Sequence, residues 1–372
     1  MVKKAHHILV LSSWYPSREA LFVGNFVQRQ AELLSSEYQA TVLHTKSEYS
    51  LKEIEISDTK KGNLRELIIY HPKGKNLLQK YLLQKKAFNI GLKLIENVSL
   101  IHSHVLLPKG LQFIQAKKHF KCPLFVTEHA SYYRKESREN LSFLNKLILK
   151  KVSRHIDKLF AVSEFLKQDL QIDFPTKNIE ILPNHIDKKT FIPNIRNVNE
   201  KKQFLHISTL DEKVKNPKGI IDACILLIKK GILNFHLTII SDESTEKWEA
   251  YSVKNNISEY VTFLGPLDWL DLAPYYQKSD AFILFSSYET FSIVLAEAWA
   301  CGIPTLTTPV GIGNQLSEDL GIQVEINSPE SLANGMIEII ENKITFNPNL
   351  ISKHTEQLSG ENVLRIFKEL VG

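Results

Sequence analysis

Short apolar and β-branched runs recur along the chain, separated by stretches in which hydrophobic positions return every three or four residues. In the first half the runs are HHILVLSS (6–13), ATVLHT (40–45), LIHSH (100–104), LFVTEH (124–129) and LFAVS (159–163). Each is short and apolar on both faces, the pattern of a strand buried in a parallel sheet. Between the first two, Phe26, Gln30, Leu33 and Leu34 keep a helical rhythm, which predicts a helix from Asn25 to Leu34 with Asn25 as its cap. Strands alternating with such helices predict βαβ units in a doubly wound α/β sheet. The segment LPNHIDKKTFIPN (182–194) carries prolines and polar breakers and reads as an interdomain linker. A second series follows: FLHIST (204–209), FHLTIIS (235–241), VTFLGP (261–266), AFILFSS (281–287), PTLTT (304–308) and IQVEI (322–326). Ligands of such sheets bind beyond the carboxyl ends of the strands, so the loops there are where chemistry is sought.

Length agrees with two domains, because 372 residues exceed what one core usually supports. The expected division is residues 1–187 and 195–354. Hydrophobic content of 43% and charged content of 23% are those of a globular protein. No apolar run approaches the ~20 residues needed to span a bilayer, and MVKKAHHILVLSSWYP lacks the cleavage pattern of a signal peptide, so a cytoplasmic location is expected. Cys122, Cys224 and Cys301 are scattered, which excludes a disulfide framework and a CxxC metal clip. Charge is divided unevenly: residues 1–187 carry 29 Lys/Arg against 18 Asp/Glu, and residues 188–372 carry 17 against 23. The basic half is expected to meet something anionic, a phosphorylated partner or a membrane surface. Within it, KGKNLLQKYLLQKKAFNIGLKLI (73–95) reads as a packed helix with snorkelling lysines or as an amphipathic helix on an anionic bilayer, and NKLILKKVSRHIDK (145–158) is a second basic stretch.

The candidate chemistry centres on SSYETFSIVLAEAWACG (286–302). Glu289 and Glu297 are eight positions apart, which would set them about 80° apart on one ideal helix. The strand AFILFSS ends near Ser287, however. That puts Glu289 in the strand-to-helix turn and Glu297 on a helix over Ile293–Ala300. The amides of Thr290, Phe291 and Ser292 would then face the same point, at a helix end that favours phosphate. Two carboxylates around one helix N-terminus suit a phosphate flanked by sugar hydroxyls. His129 at a strand end is either a satisfied core histidine or a ligand contact. His102 and His104 have metal-ligand spacing but no third partner at useful spacing, and are read as structural. No D-x-D occurs, so no motif for a diphosphate-binding metal is found.

The spacing of Glu289 and Glu297 resembles the signature of glycosyltransferase family 4, and WYP (14–16) with GNF (24–26), IHSH (101–104), TEH (127–129), AVSE (161–164), LPNHID (182–187) and AWACGIPTLTTPVG (298–311) resemble further motifs of that family, in its order. The resemblance covers most of the chain. It implies the GT-B fold, two facing Rossmann-like doubly wound domains with an interdomain cleft, the first (1–187) binding the acceptor and the second (195–354) the nucleotide sugar, and a C-terminal helix (about 355–372) packing back on the first domain. It implies a retaining glycosyltransferase moving a sugar from a nucleotide diphosphate donor to a glycan or lipid-linked acceptor in cell-surface polysaccharide or glycolipid synthesis, and the missing D-x-D adds the expectation that it needs no metal or other cofactor. By the same resemblance His129 and Glu289 would be catalytic, with His129 beside the reacting carbon and Glu289 on the sugar hydroxyls. Glu297 would hold the ribose, and Gly24 would let the backbone approach phosphate and acceptor.

Two departures from the family pattern stand out. Thr209 occupies the usual arginine position in STLDEKVKNPKG (208–219), so the diphosphate cation must be Lys213, Lys215 or Lys218; the Lys-Gly match favours Lys218, with Lys215 equally reachable. GIGNQLSED (311–319) replaces the usual paired glycines and acidic residue. The partners expected are the donor, the acceptor and an anionic membrane on its inner face, and no nucleic acid. Alternatives are a nonhydrolysing epimerase, a silent nucleotide-sugar binder, and a nicotinamide oxidoreductase whose fingerprint GIGNQL (311–316) matches only poorly.

Overall fold

The computed structural model describes residues 6–193 and 201–371. Its internal contacts divide the chain into two units: Met1–Val162, Leu166–Asn184 and Ile366–Gly372 form the first, and Ser163–Phe165 with His185–Arg365 form the second. Residues 185–187 and the first part of the C-terminal helix, counted with the first domain on sequence, therefore lie in the second unit.

The first unit is built on β1 (His7–Ser12), β2 (Gln39–Glu48), β3 (Glu55–Lys61), β4 (Leu64–Pro72), β5 (Leu100–His104), β6 (Leu124–Glu128), β7 (Lys158–Ala161) and β8 (Ile179–Ile181). The sheet order is β3-β4-β2-β1-β5-β6-β7-β8, parallel throughout except for β3. β3 and β4 form a hairpin that the periodicity reading missed. β3 is EISDTKK, an exposed edge strand whose charges read as loop but serve to keep an open edge soluble. Helices Leu77–Lys93, Gly110–Phe120 and Phe143–Ser153 follow β4, β5 and β6, with the middle one packed against both neighbours. In right-handed βαβ units each such helix starts at the carboxyl edge of the sheet.

The helix after β1 spans Asn25–Ser35, but its cap is Gly24 rather than Asn25, which is the first helical residue. Gly24 has φ 74°, and a Cβ there would lie 2.5 Å from the carbonyl carbon and oxygen of Trp14. Only glycine meets both demands. The last helix spans Gly360–Val371, and Phe367 is buried against Tyr38 and His102.

The second unit carries β9 (Lys202–Ile207), β10 (Phe235–Ile240), β11 (Val261–Leu264), β12 (Ala281–Leu284), β13 (Thr305–Thr307) and β14 (Gly321–Gln323), all parallel in the order β11-β10-β9-β12-β13-β14. This is the doubly wound order in which connections leave β9 and β12 toward opposite edges. Phe204, Phe235, Leu237, Ile239, Ile283 and Phe285 belong to its apolar core, which explains the largely apolar strand runs. The expected linker at 182–194 is in its described part a packed segment of this unit from His185 onward. Phe191 is buried against Trp269 and Tyr276, Lys188 Nζ donates to the Thr355 hydroxyl at 2.7 Å, and Ile186 bridges to Ser359. Asn194 lies outside the described residues.

Candidate active site

In the second unit the candidate residues gather where the loops after β9 and β12 meet, at the switch point of the sheet. The first loop is shaped by Asp211, whose side chain accepts from the amides of Lys213 and Val214 at 2.9 Å each. Its carbonyl accepts from the Lys215 amide at 2.7 Å. Asn216, at φ 49°, then caps the helix Pro217–Lys229 by accepting from the Gly219 amide at 3.0 Å. The second loop is fastened to the first: the Ser287 amide donates to the Val214 carbonyl at 2.7 Å and its hydroxyl to the Lys213 carbonyl at 2.8 Å.

This fastening brings Lys215 Nζ to 2.5 Å from Glu289 Oε1, which also accepts from the Ser286 hydroxyl at 2.8 Å. Both side chains are mostly buried, at 19% and 12% exposure. Lys218 lies elsewhere. It is half exposed, pairs with Asp222 at 2.6 Å and sits over the Tyr251 ring. Lys213 is exposed. Lys215, which the Lys-Gly match had not favoured, is the cation at the acidic loop.

Glu289 lies in the loop and Glu297 in the helix Ile293–Ala300. Thr290, Phe291 and Ser292 lead into that helix. The Thr290 carbonyl accepts from the Ser163 hydroxyl at 2.5 Å and the Phe291 carbonyl from the Ile312 amide at 3.0 Å. Gly311, at φ 55°, lets the neighbouring loop close on this one, since a Cβ would lie 2.6 Å from the Phe291 carbonyl oxygen. Ser292 takes φ 75° at the cap position, yet its hydroxyl caps nothing and is buried without a partner. The helix's first amides and the unused Ser292 hydroxyl follow Glu289 closely in the chain, and with Lys215 they are the donor types of an anion site.

Glu297 is buried, at 1% exposure. The Tyr276 hydroxyl, at 3.1 Å from Glu297 Oε2 and 3.2 Å from the Val294 carbonyl, ties it to the first turn of the helix. Sequence reasoning missed Tyr276, Ser163 and Ser286. Of these Ser163 had a signal in its place in AVSE and Ser286 in opening SSYETFSIVLAEAWACG, while Tyr276 had none.

In the first unit Gly24 and His129 belong to neighbouring loops, linked by Phe26, whose ring stacks on His129 at 4.4 Å between centroids. His129 follows β6 and its Nε2 lies 3.0 Å from His104 Nδ1, while its Nδ1 is buried without a partner. Burial holds His129 neutral, its pKa pushed down to about 3, with the neighbouring His102 adding to the effect. His102 bonds the Thr127 hydroxyl at 2.8 Å. Of the two histidines read as structural, His104 therefore touches the candidate catalytic ring directly. Glu128 is buried as well, accepting from the Leu106 amide and the Tyr133 hydroxyl at 2.8 Å, and burial raises its pKa. Among the described residues no cluster of three or more His, Cys, Asp or Glu could hold a metal ion.

The two Rossmann-like units define a GT-B protein. A solved structure of sucrose-phosphate synthase from Thermosynechococcus elongatus superposes with a TM-score of 0.72 at 19% identity, covering 98% of this chain and 96% of that one. Residues 23–190 match the model described as Glycosyltransferase Family 4 and residues 201–342 that described as Glycosyl transferases group 1, and the chain belongs to this family of glycosyltransferases. It is 26% identical over 262 residues to N-acetyl-alpha-D-glucosaminyl L-malate synthase of Bacillus anthracis, covering 67% of each. It is 22% identical over 312 residues to UDP-Gal:alpha-D-GlcNAc-diphosphoundecaprenol alpha-1,3-galactosyltransferase of Escherichia coli, covering 78% of this chain and 76% of that protein.

The two lysines make a direct test of the anion site. Replacing Lys215 by Met removes one charged hydrogen bond and leaves Glu289 unpaired, so nucleoside diphosphate affinity should fall by roughly 10- to 100-fold. Lys218→Met should change it by less than about twofold, because a half-exposed surface pair contributes little. Calorimetric titration of both variants with UDP, GDP and ADP measures this.

Proposed function

We propose that this glycosyltransferase transfers a sugar with retention of configuration from a nucleotide diphosphate donor to a glycan or lipid-linked acceptor in cell-surface polysaccharide or glycolipid synthesis. The observation that carries the reading is the Lys215–Glu289 pair beside the unused Ser292 hydroxyl and the start of the helix Ile293–Ala300. As the bond to the anomeric carbon breaks, negative charge grows on the leaving diphosphate. An ammonium and a helix N-terminus held in place stabilise that charge more in the transition state than in the ground state. In this reading Lys215, Thr290, Phe291 and Ser292 hold the diphosphate, Glu289 the sugar hydroxyls and Glu297 the ribose. Gly24 lets the backbone close on phosphate and acceptor. Neutral His129 presents Nδ1 to the sugar near the reacting carbon without competing for the diphosphate. Positive charge comes from the protein, so no metal is required.

The test is turnover with a panel of UDP, GDP and ADP sugars and an acceptor extract, followed by NMR of the product's anomeric proton. The reading predicts the donor's own anomeric configuration and full activity in EDTA. Inversion, or loss of activity in EDTA restored by manganese, would overturn the respective part.

A lipid-linked acceptor is supported by the surface of the first unit and by the lipid diphosphate in the name of the Escherichia coli relative. The helix Leu77–Lys93 packs through Ala87, Phe88, Gly91 and Leu92, all in its second half. Its first half leaves Leu77, Leu78, Tyr81 and Leu82 exposed among Lys75, Lys80, Lys85 and Lys86. The start of the helix Phe143–Ser153 repeats the pattern, with Phe143, Leu144 and Leu147 exposed beside Lys146 and Lys150. Apolar side chains ringed by lysines at helix starts suit the surface of an anionic bilayer. No helix among the described residues is long and apolar enough to cross one. The protein should float with phosphatidylglycerol vesicles and be released at roughly 0.5 M salt, where the Debye length is only a few ångströms. Leu78→Glu with Phe143→Glu should stay with the unbound fraction, and equal flotation of this variant would contradict the surface assigned.

A further inference from the structure

Lys109 opens the helix Gly110–Phe120, and its side chain is buried to 9% exposure among groups that cannot neutralise it. Nζ donates to the Thr45 carbonyl at 2.7 Å and stands 3.3 Å from His44 Nδ1 and 3.5 Å from His44 Nε2. That imidazole is itself held neutral by burial and by Lys109, and its Nδ1 lies 3.2 Å from the Ser12 carbonyl, to which it donates. Lys109 makes no ion pair among the described residues. The carboxylates that β2 and β4 carry are committed elsewhere: Glu48 to Arg18, and Glu66 to Tyr15 and Gln28. Lys46 of β2 adds positive charge, and His71 of β4 is buried and bonded to the Pro72 carbonyl.

A buried ammonium without a counter-ion is costly, and at least two of its three protons have no firm acceptor here. A second group is also left over. The Thr45 hydroxyl is buried with no hydrogen-bond partner, on the residue whose carbonyl Lys109 holds. The place is the switch point of the first sheet, between β1 and β5: the Lys109 amide donates to the Ser13 hydroxyl at 3.2 Å, joining the loops that follow these two strands.

We propose that Lys109, the Thr45 hydroxyl and His44 form an anion subsite in the first unit, taking a phosphate or carboxylate group of the acceptor. This rests on the reading that the first unit binds the acceptor. A phosphate there could belong to a soluble molecule or to a lipid, and the shared chemistry is one small anion on one buried amine. Burial, with Lys46 second, lowers the Lys109 pKa to about 7. The ammonium that the anion needs is therefore present below about pH 7 and lost above it, so anion affinity falls as pH rises.

The test uses sulfate, whose charge is constant over the pH range, at fixed ionic strength with chloride as the control. Sulfate should raise the melting temperature of the wild type saturably at pH 6.5, and its apparent affinity should drop roughly tenfold or more by pH 8.5, following the charged fraction of the amine. With UDP at saturation to occupy the anion site of the second unit, the remaining sulfate shift should vanish in Lys109→Met, while the shift produced by UDP alone stays unchanged, which shows an intact fold. Thr45→Val keeps the ammonium and should weaken sulfate several-fold. Equal sulfate shifts in wild type and Lys109→Met, or a pH-independent shift, would overturn the subsite. Because this readout needs no turnover, it fails or succeeds apart from the transfer reading. Acceptor activity should bind an anion-exchange resin; recovery in the organic phase of an extract assigns it to lipid and in the aqueous phase to a soluble anion, whereas an acceptor that passes through the resin would contradict the proposal.

Discussion

Lys215 and Glu289 meet at 2.5 Å across the ends of two strands whose connections run apart, and the second unit's site depends on that contact. Under the proposed function a carboxylate that grips sugar hydroxyls would lie close to the diphosphate, and the two would repel each other without a cation between them. Lys215 would supply it. Because the pair is largely removed from water, its charges act at lower dielectric than a surface pair, and each holds the other in place before a ligand arrives. The bonds of Ser287 to Val214 and Lys213 keep both loops in register, so the charge pair is preorganised by backbone contacts rather than by side-chain chance.

The first unit uses the opposite device, buried rings kept uncharged. His102, His104 and His129 are stripped of water, and each has a nitrogen without a partner. Between His104 Nδ1 and His129 Nε2 one nitrogen donates and the other accepts, so the tautomers of the two rings are linked, and with them the role of His129 Nδ1. Phe26 fixes the ring plane from one side, and Phe367 closes the far end of the row by packing on His102.

Much of this could be read in the amino-acid pattern, because buried parallel strands leave largely apolar runs and the switch from β12 to the helix Ile293–Ala300 is sharp. The hairpin of β3 and β4 could not, since an exposed edge strand follows no apolar pattern and its charges imitate a loop. The cap at Gly24 was misread because side-chain capping preferences do not register that a left-handed backbone was needed against Trp14. The segment after His185 looks like a linker by composition, yet Phe191 and Lys188 find partners distant in sequence that no local rule reports. Which lysine meets Glu289 was likewise a tertiary matter: Lys218 is the second residue of a helix and finds Asp222 four residues on, while the Asp211 turn points Lys215 inward. Buried Glu297 accepts from Tyr276, twenty-one positions away.

The central claim is that Glu289 contacts the sugar and Lys215 the diphosphate. The affinity of Glu289→Ala for a nucleotide sugar, compared with its affinity for the bare nucleoside diphosphate, separates the two roles. The account predicts that the nucleotide sugar binds at least about tenfold more weakly than to the wild type, while the nucleoside diphosphate binds as well or better because Lys215 is released from its partner. Equal weakening of both would contradict it.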